Sequence, residues 1–349
     1  MNTKIGIFAV SILLTSLNLP LHATTAIEQI LDFDPGIKFS APQPDTAIAG
    51  FTGLSREEAV AKLPLFDYQK SDVLSVDMSA PVVHKEYLVT TIELIVNDPL
   101  RQLGEFKQKF IFYKSSRPGR RPTVLISPPF MPQEIDDLSA RCFVEKGYNA
   151  VIVVPSESLT DTTRPLDKVD DLLIRNTIMM RMCIDLLETL PEVDSGRIYA
   201  YGISMGGIRT ALAFGVEPRI KKAGEIVGGG DIPGIIADTK FKLLAKVRDT
   251  RMQLEGLATV EDFRVYMKKI MIVDPLDFGV LRNPEDIYFV VSHGDRFVRD
   301  QYQEKLFYAF SRPREGRYPR VKRSIVGHLP TAAKFVRYVN IFSDFFGRQ

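Results

Sequence analysis

The sequence predicts an α/β architecture: a mostly parallel central sheet with helices on both faces, N-terminal antiparallel strands and a helical insertion. Three observations carry this reading. Short apolar runs at 123–127, 150–154, 197–201, 223–227, 287–292 and 321–326 alternate with longer segments of helical spacing. Strands buried on both faces read as such runs. Two aromatic-rich segments at 82–96 and 106–113 precede them, and the second alternates, with Phe106, Phe110 and Phe112 on one face. Finally, residues 231–286 separate two strands by more than a crossover needs, and read as helical over 241–254 and 260–270.

Taken in order, residues 1–23 carry Lys4, then a mostly apolar stretch over 5–17, then breakers Asn18 and Pro20 and a small residue, Ala23. This is the pattern of a secretory signal peptide, and it is short for a spanning helix of ~20 apolar residues. The expectation is an exported chain, periplasmic or secreted, without an integral membrane segment once the signal is removed. Residues 24–80 hold Pro35, Pro42, Pro44 and Pro64 and read as an irregular extension with one short helix at 55–62. Ser55 and Glu58 have the spacing of a capping box there. The main domain runs from 81 to 349. Its helices fall at 132–147, 170–190, 205–214 and 331–346, the last with Phe335, Tyr338, Phe342 and Phe346 as its apolar stripe. The insertion at about 231–286 reads as a lid or a pocket wall.

Composition narrows the function. The chain has 349 residues, 25% charged and 45% hydrophobic, with a net charge of +2. That excludes a disordered or collagen-like chain, and near-zero charge argues against an electrostatic nucleic-acid binder. Two cysteines, Cys142 and Cys183, fall in helical stretches among apolar neighbours and read as buried free thiols. No phosphate-binding glycine loop, Cys-x-x-Cys pair or zinc-type histidine pair is present, so neither a cofactor nor a metal is expected. The basic run 312–323 reads as a solvated loop.

The sharpest motif is Gly202-Ile203-Ser204-Met205-Gly206, between a strand and a helix. A serine on such a turn projects its hydroxyl above the sheet, and glycine on either side removes Cβ atoms that would strike neighbouring backbone. The following helix points its N-terminus at the serine, where developing negative charge is favoured. With this motif the stretch 82–349 resembles the α/β-hydrolase superfamily. The resemblance implies an acid after a later strand and a histidine near the C-terminus.

Both are sought independently, because a serine nucleophile needs a base and the base an orienting carboxylate. Of the four histidines, His22 leaves with the signal peptide, His84 falls in an early strand and His293 flanks a candidate acid. His328 follows the strand at 321–326 through Gly327 and is the expected base. Asp295, in Gly294-Asp295-Arg296-Phe297-Val298, is the expected acid; its loop is similar to the acid loop of many α/β-hydrolases. Asp231, beyond three glycines, is the alternative, and Asp274 and Asp277 read as a capped turn. Two oxyanion donors are expected: the N–H of Met205, and one from the loop 127–131. Pro128 and Pro129 have no N–H, so Phe130 is the first available, with Met131 next. Many relatives carry His-Gly in that loop, and this chain does not. The expected function is an exported serine hydrolase that cleaves a small-molecule acyl ester, needing no nucleic-acid partner. A peptidase or acyltransferase using the same residues, or a non-catalytic binding protein, are the alternatives.

Overall fold

The computed structural model describes residues 53–130, 134–163 and 165–348. The signal-like segment and most of the extension lie outside these residues, as does Met131. Helix α1 (Arg56–Lys62) opens the described chain, and Ser55 and Glu58 close the expected capping box. Strand β1 (Val73–Met78), inside the stretch read as irregular, comes next and pairs antiparallel with β3 (Tyr87–Asn97). Its residues are nearly all exposed, so no alternating burial pattern marks it; pairing with a neighbour makes it a strand. The expected strand 82–96 is broken into β2 (Val82–Val83) and β3 (Tyr87–Asn97). A turn divides them, with the His84 N–H donating to the Tyr87 carbonyl. His84 is therefore an exposed turn residue, stacked on Tyr87 at 4.6 Å.

Strand β4 (Glu105–Ser115) follows, and from β5 (Arg121–Ser127) onward strands and helices alternate: α2 (Glu134–Glu145), β6 (Asn149–Val153), α3 (Val169–Thr189), β7 (Val193–Ile203) and α4 (Met205–Val216). Then come β8 (Ile220–Ile226), α5 (Ile232–Asp238), α6 (Lys242–Leu254), α7 (Val260–Ile270), β9 (Ile287–Ser292), α8 (Asp300–Ala309), β10 (Arg320–Ser324), α9 (His328–Ala333) and α10 (Phe335–Gly347). The sheet order is β1-β3-β4-β6-β5-β7-β8-β9-β10, with β2 also on β3. The pairs among β5 to β10 are parallel; β3 and β4 join antiparallel.

Alternate residues of the parallel strands feed two cores. Leu125 and Ala200 face a core with α3, α4 and α8, while Val124, Ile126 and Tyr199 face one with α2 and α10. Period-2 alternation of strand side chains divides them. Cys142 lies in one core and Cys183 in the other, both buried and unbonded, so the sheet stands between the thiols. A third, smaller apolar cluster joins the start of α3 to α5 and α7. Among the described residues no helix is long and apolar enough to cross a membrane.

Candidate active site

Because β7, β9 and β10 run parallel, their C-terminal ends share one edge of the sheet. Ser204 follows β7, Asp295 lies just beyond β9, and His328 just beyond β10. Residues more than a hundred positions apart meet there for that reason. His328 Nε2 lies 3.0 Å from Ser204 Oγ, and His328 Nδ1 lies 2.6 Å from Asp295 Oδ2. Asp295 and His328 are buried, and Ser204 is partly exposed.

Ser204 sits at φ 56°, ψ −119°, which an L-residue rarely adopts. Its N–H is held by the Ile226 carbonyl at 2.7 Å, on the neighbouring strand. The flanking glycines are required by close approach. A Cβ at 202 would stand 2.1 Å from the Gly206 carbonyl oxygen, and one at 206 would stand 2.0 Å from that of Ser127. The turn therefore packs against the loop after β5. Met205 opens α4, so its N–H has no acceptor within the helix. Phe130 and Met205 line the same pocket as Ser204 and His328.

The alternatives are engaged elsewhere. Asp231 caps α5 through the Gly234 N–H and pairs with Lys305. Asp274 accepts from the Asp231, Ile232 and Leu276 N–H groups, and Asp277 pairs with Lys62 at 2.7 Å. His293 Nδ1 faces Asp300 at 3.5 Å. In the basic run, Arg312 reaches the Gly279, Val280 and Arg282 carbonyls and Arg323 pairs with Glu304, so these two tie elements together.

Several supporting groups carry no sequence signal. Buried Gln303 on α8 donates to Asp295 Oδ2 (2.9 Å) and to the Val298 carbonyl (2.6 Å), and accepts from the Ser292 N–H (2.8 Å). Asp295 Oδ1 accepts from the Phe297 and Val298 N–H groups, so both carboxylate oxygens are pinned. Thr331 joins the Ser292 and Ser324 hydroxyls, fixing α9 to the ends of β9 and β10. The Phe297 ring packs 5.1 Å from the His328 ring. Behind the elbow, burial pushes the Glu225 carboxyl up to about 8, against the lowering effect of the Gly228 N–H. Near neutral pH it is therefore mostly protonated, which spares Asp295 a second buried negative charge. Arg209 on α4 donates to the Pro128 carbonyl at 3.3 Å, and burial lowers it to about 10 despite nearby Asp136. Among the described residues no group of three His, Cys, Asp or Glu side chains has a metal-holding arrangement.

No protein-family profile and no curated protein matches the sequence. Solved structures do. Acetyl xylan esterase 1 from Thermoanaerobacterium sp. JW/SL YS485 aligns over 85% of this chain and 96% of its own, at 14% identity and TM-score 0.58. A CE15 glucuronoyl esterase from Teredinibacter turnerae T7901 aligns over 83% and 84%, at 14% identity and TM-score 0.57. A puromycin-hydrolyzing peptidase of Mycobacterium tuberculosis aligns over 77% of this chain and 40% of its own, at 14% identity and TM-score 0.56. At such identities the likeness is one of architecture: the chain has the α/β-hydrolase fold.

Proposed function

We propose that this chain is an exported serine hydrolase that cleaves carboxylic esters through an acyl-enzyme. The observation that carries the reading is the hydrogen-bonded series from Ser204 Oγ through the His328 ring to Asp295, at 3.0 and 2.6 Å, opening on a pocket. Ser204 Oγ attacks the acyl carbonyl and its proton passes to His328 Nε2. Asp295 accepts from Nδ1–H, which fixes the tautomer and stabilises the imidazolium. The Met205 and Phe130 N–H groups receive the oxyanion. His328 then protonates the departing alkoxide, which leaves as the alcohol. It next takes a proton from water, whose oxygen attacks the acyl-enzyme, and returns that proton to Ser204 as the acid departs.

The esterases among the similar structures support ester over amide substrates. The similar peptidase makes amide cleavage the second reading, separated by assaying p-nitroanilides beside p-nitrophenyl esters. In this reading the segment 231–286 is a lid-like roof, since α5, α6 and α7 all contribute residues to the pocket. Export rests on the signal-like residues 1–23, and N-terminal sequencing of the mature protein tests it.

The central test is labelling with a fluorophosphonate. The folded wild type labels at Ser204, and Ser204→Ala loses both labelling and ester hydrolysis, by about 10³-fold or more. A folded wild type that neither labels nor hydrolyses any ester would overturn the proposal.

A further inference from the structure

We infer that the cavity at Ser204 is a site for an extended aliphatic acyl chain, so that the preferred substrates are medium- or long-chain esters and not acetates or sugar-acid esters. The inference rests on the serine-hydrolase reading above and adds the substrate class.

The walls carry the argument. The cavity runs from Ser204 and His328 between the β6–α3 segment and the inserted helices α5, α6 and α7. Its far side is formed by Leu166, Val169, Phe263 and Met267, all nearly or fully buried. These four, with Ala237, make up the third apolar cluster, separate from both sheet cores. Among the described residues this wall is hydrophobic, and it is assembled where the insertion meets the start of α3. Ile235 and Val247 line the same cavity.

Among the described residues, polar lining is confined to four side chains: Ser204, His328, Arg248 and Arg251. The first two belong to the proposed chemistry. Both arginines are hydrogen-bonded to protein groups. Arg248 donates to the Ala237 carbonyl at 2.7 Å and to Asp249 at 2.9 Å, and Arg251 donates to the Asp161 carbonyl at 2.6 Å. Among the described residues no aspartate or glutamate lines the cavity, so a substrate ammonium group would meet no counter-charge from them.

A sugar placed against such walls would surrender water from its hydroxyls and gain no hydrogen bond in return. An acetyl group would leave the partly exposed apolar lining at Leu159, Ile236, Phe241 and Leu244 uncovered. An alkyl chain removes apolar surface from water with each methylene, on itself and on the wall. That contribution appears in kcat/KM, which measures transition-state binding relative to free enzyme and substrate.

The experiment is a series of p-nitrophenyl acetate, butyrate, hexanoate and octanoate, each below its micelle concentration, run beside fluorophosphonate labelling. The expected result is a rise in kcat/KM of at least tenfold from acetate to octanoate. A second arm fills the cavity from the roof with Leu244→Trp, on α6. This variant should lose at least tenfold more activity on octanoate than on acetate. A labelled, active enzyme with a flat profile, or one fastest on acetate, overturns the inference and leaves the serine-hydrolase proposal standing. Equal losses on both esters in Leu244→Trp also overturn it. Absence of labelling together with absence of all ester hydrolysis removes the proposal and the inference together.

Discussion

Replacing Ser204 by glycine should stabilise the protein relative to replacing it by alanine. The serine is held at φ 56°, ψ −119°, with its N–H tied to Ile226 and its two flanking glycines packed against backbone. A Cβ in so sparsely populated a region costs of order 1–3 kcal/mol. Glycine reaches the mirror-β region freely, at an entropic cost of roughly 0.5–1 kcal/mol relative to alanine. Both variants lose the hydrogen bond to His328, and the Ser204 side chain makes no capping bond on α4, so neither term enters the difference. The net advantage of Ser204→Gly over Ser204→Ala is the difference of the two, centred on ~1 kcal/mol within a span of ~0–2.5 kcal/mol. In a domain of this size the central value raises the melting temperature by about 2 °C. Scanning fluorimetry and urea denaturation of the two inactive variants at one pH measure it directly. A glycine variant equal to the alanine variant, or less stable, would show that the elbow stores no strain.

Two further expectations follow from the buried groups around the site. Gln303→Leu removes a donor to Asp295 and leaves the Ser292 N–H and Val298 carbonyl without their partner, so kcat should fall roughly tenfold with KM within about twofold; a KM-only effect would refute a positioning role. Stability should decline between about pH 5 and 8. Burial holds the folded carboxyls of Glu225 and Asp274 at about 8 and about 7, against ordinary values of 4.5 and 3.8. The native state then keeps protons that the unfolded state has released. The stability these two groups contribute is complete below about pH 4 and lost as pH rises through 7 and 8. Melting temperatures across this range check the slope, and Glu225→Gln should flatten part of it.

Much of the site was legible because its parts are encoded locally. The Gly-x-Ser-x-Gly spacing reports a steric demand between adjacent backbone segments, and the contacts that Cβ atoms would make at 202 and 206 display that demand. The apolar runs before Ser204, Asp295 and His328 announced strands, and parallel pairing then carries all three residues to one edge. Strand β1 was not legible, because an exposed edge strand has no burial pattern and takes its structure from β3. Gln303 was not legible either. A glutamine on a helix looks like a surface residue until the fold turns it inward against Asp295.

The sequence by itself determined the layered α/β plan and the steric spacing of the elbow, and it placed Ser204, Asp295 and His328 each after an apolar run, since periodicity and turn sterics act over a few residues. Only the tertiary structure decided which carboxylate faces His328, what pins that carboxylate, and what kind of surface stands beyond the serine. Those depend on side chains from segments far apart in the chain, brought within hydrogen-bond or van der Waals distance by packing that no local pattern records.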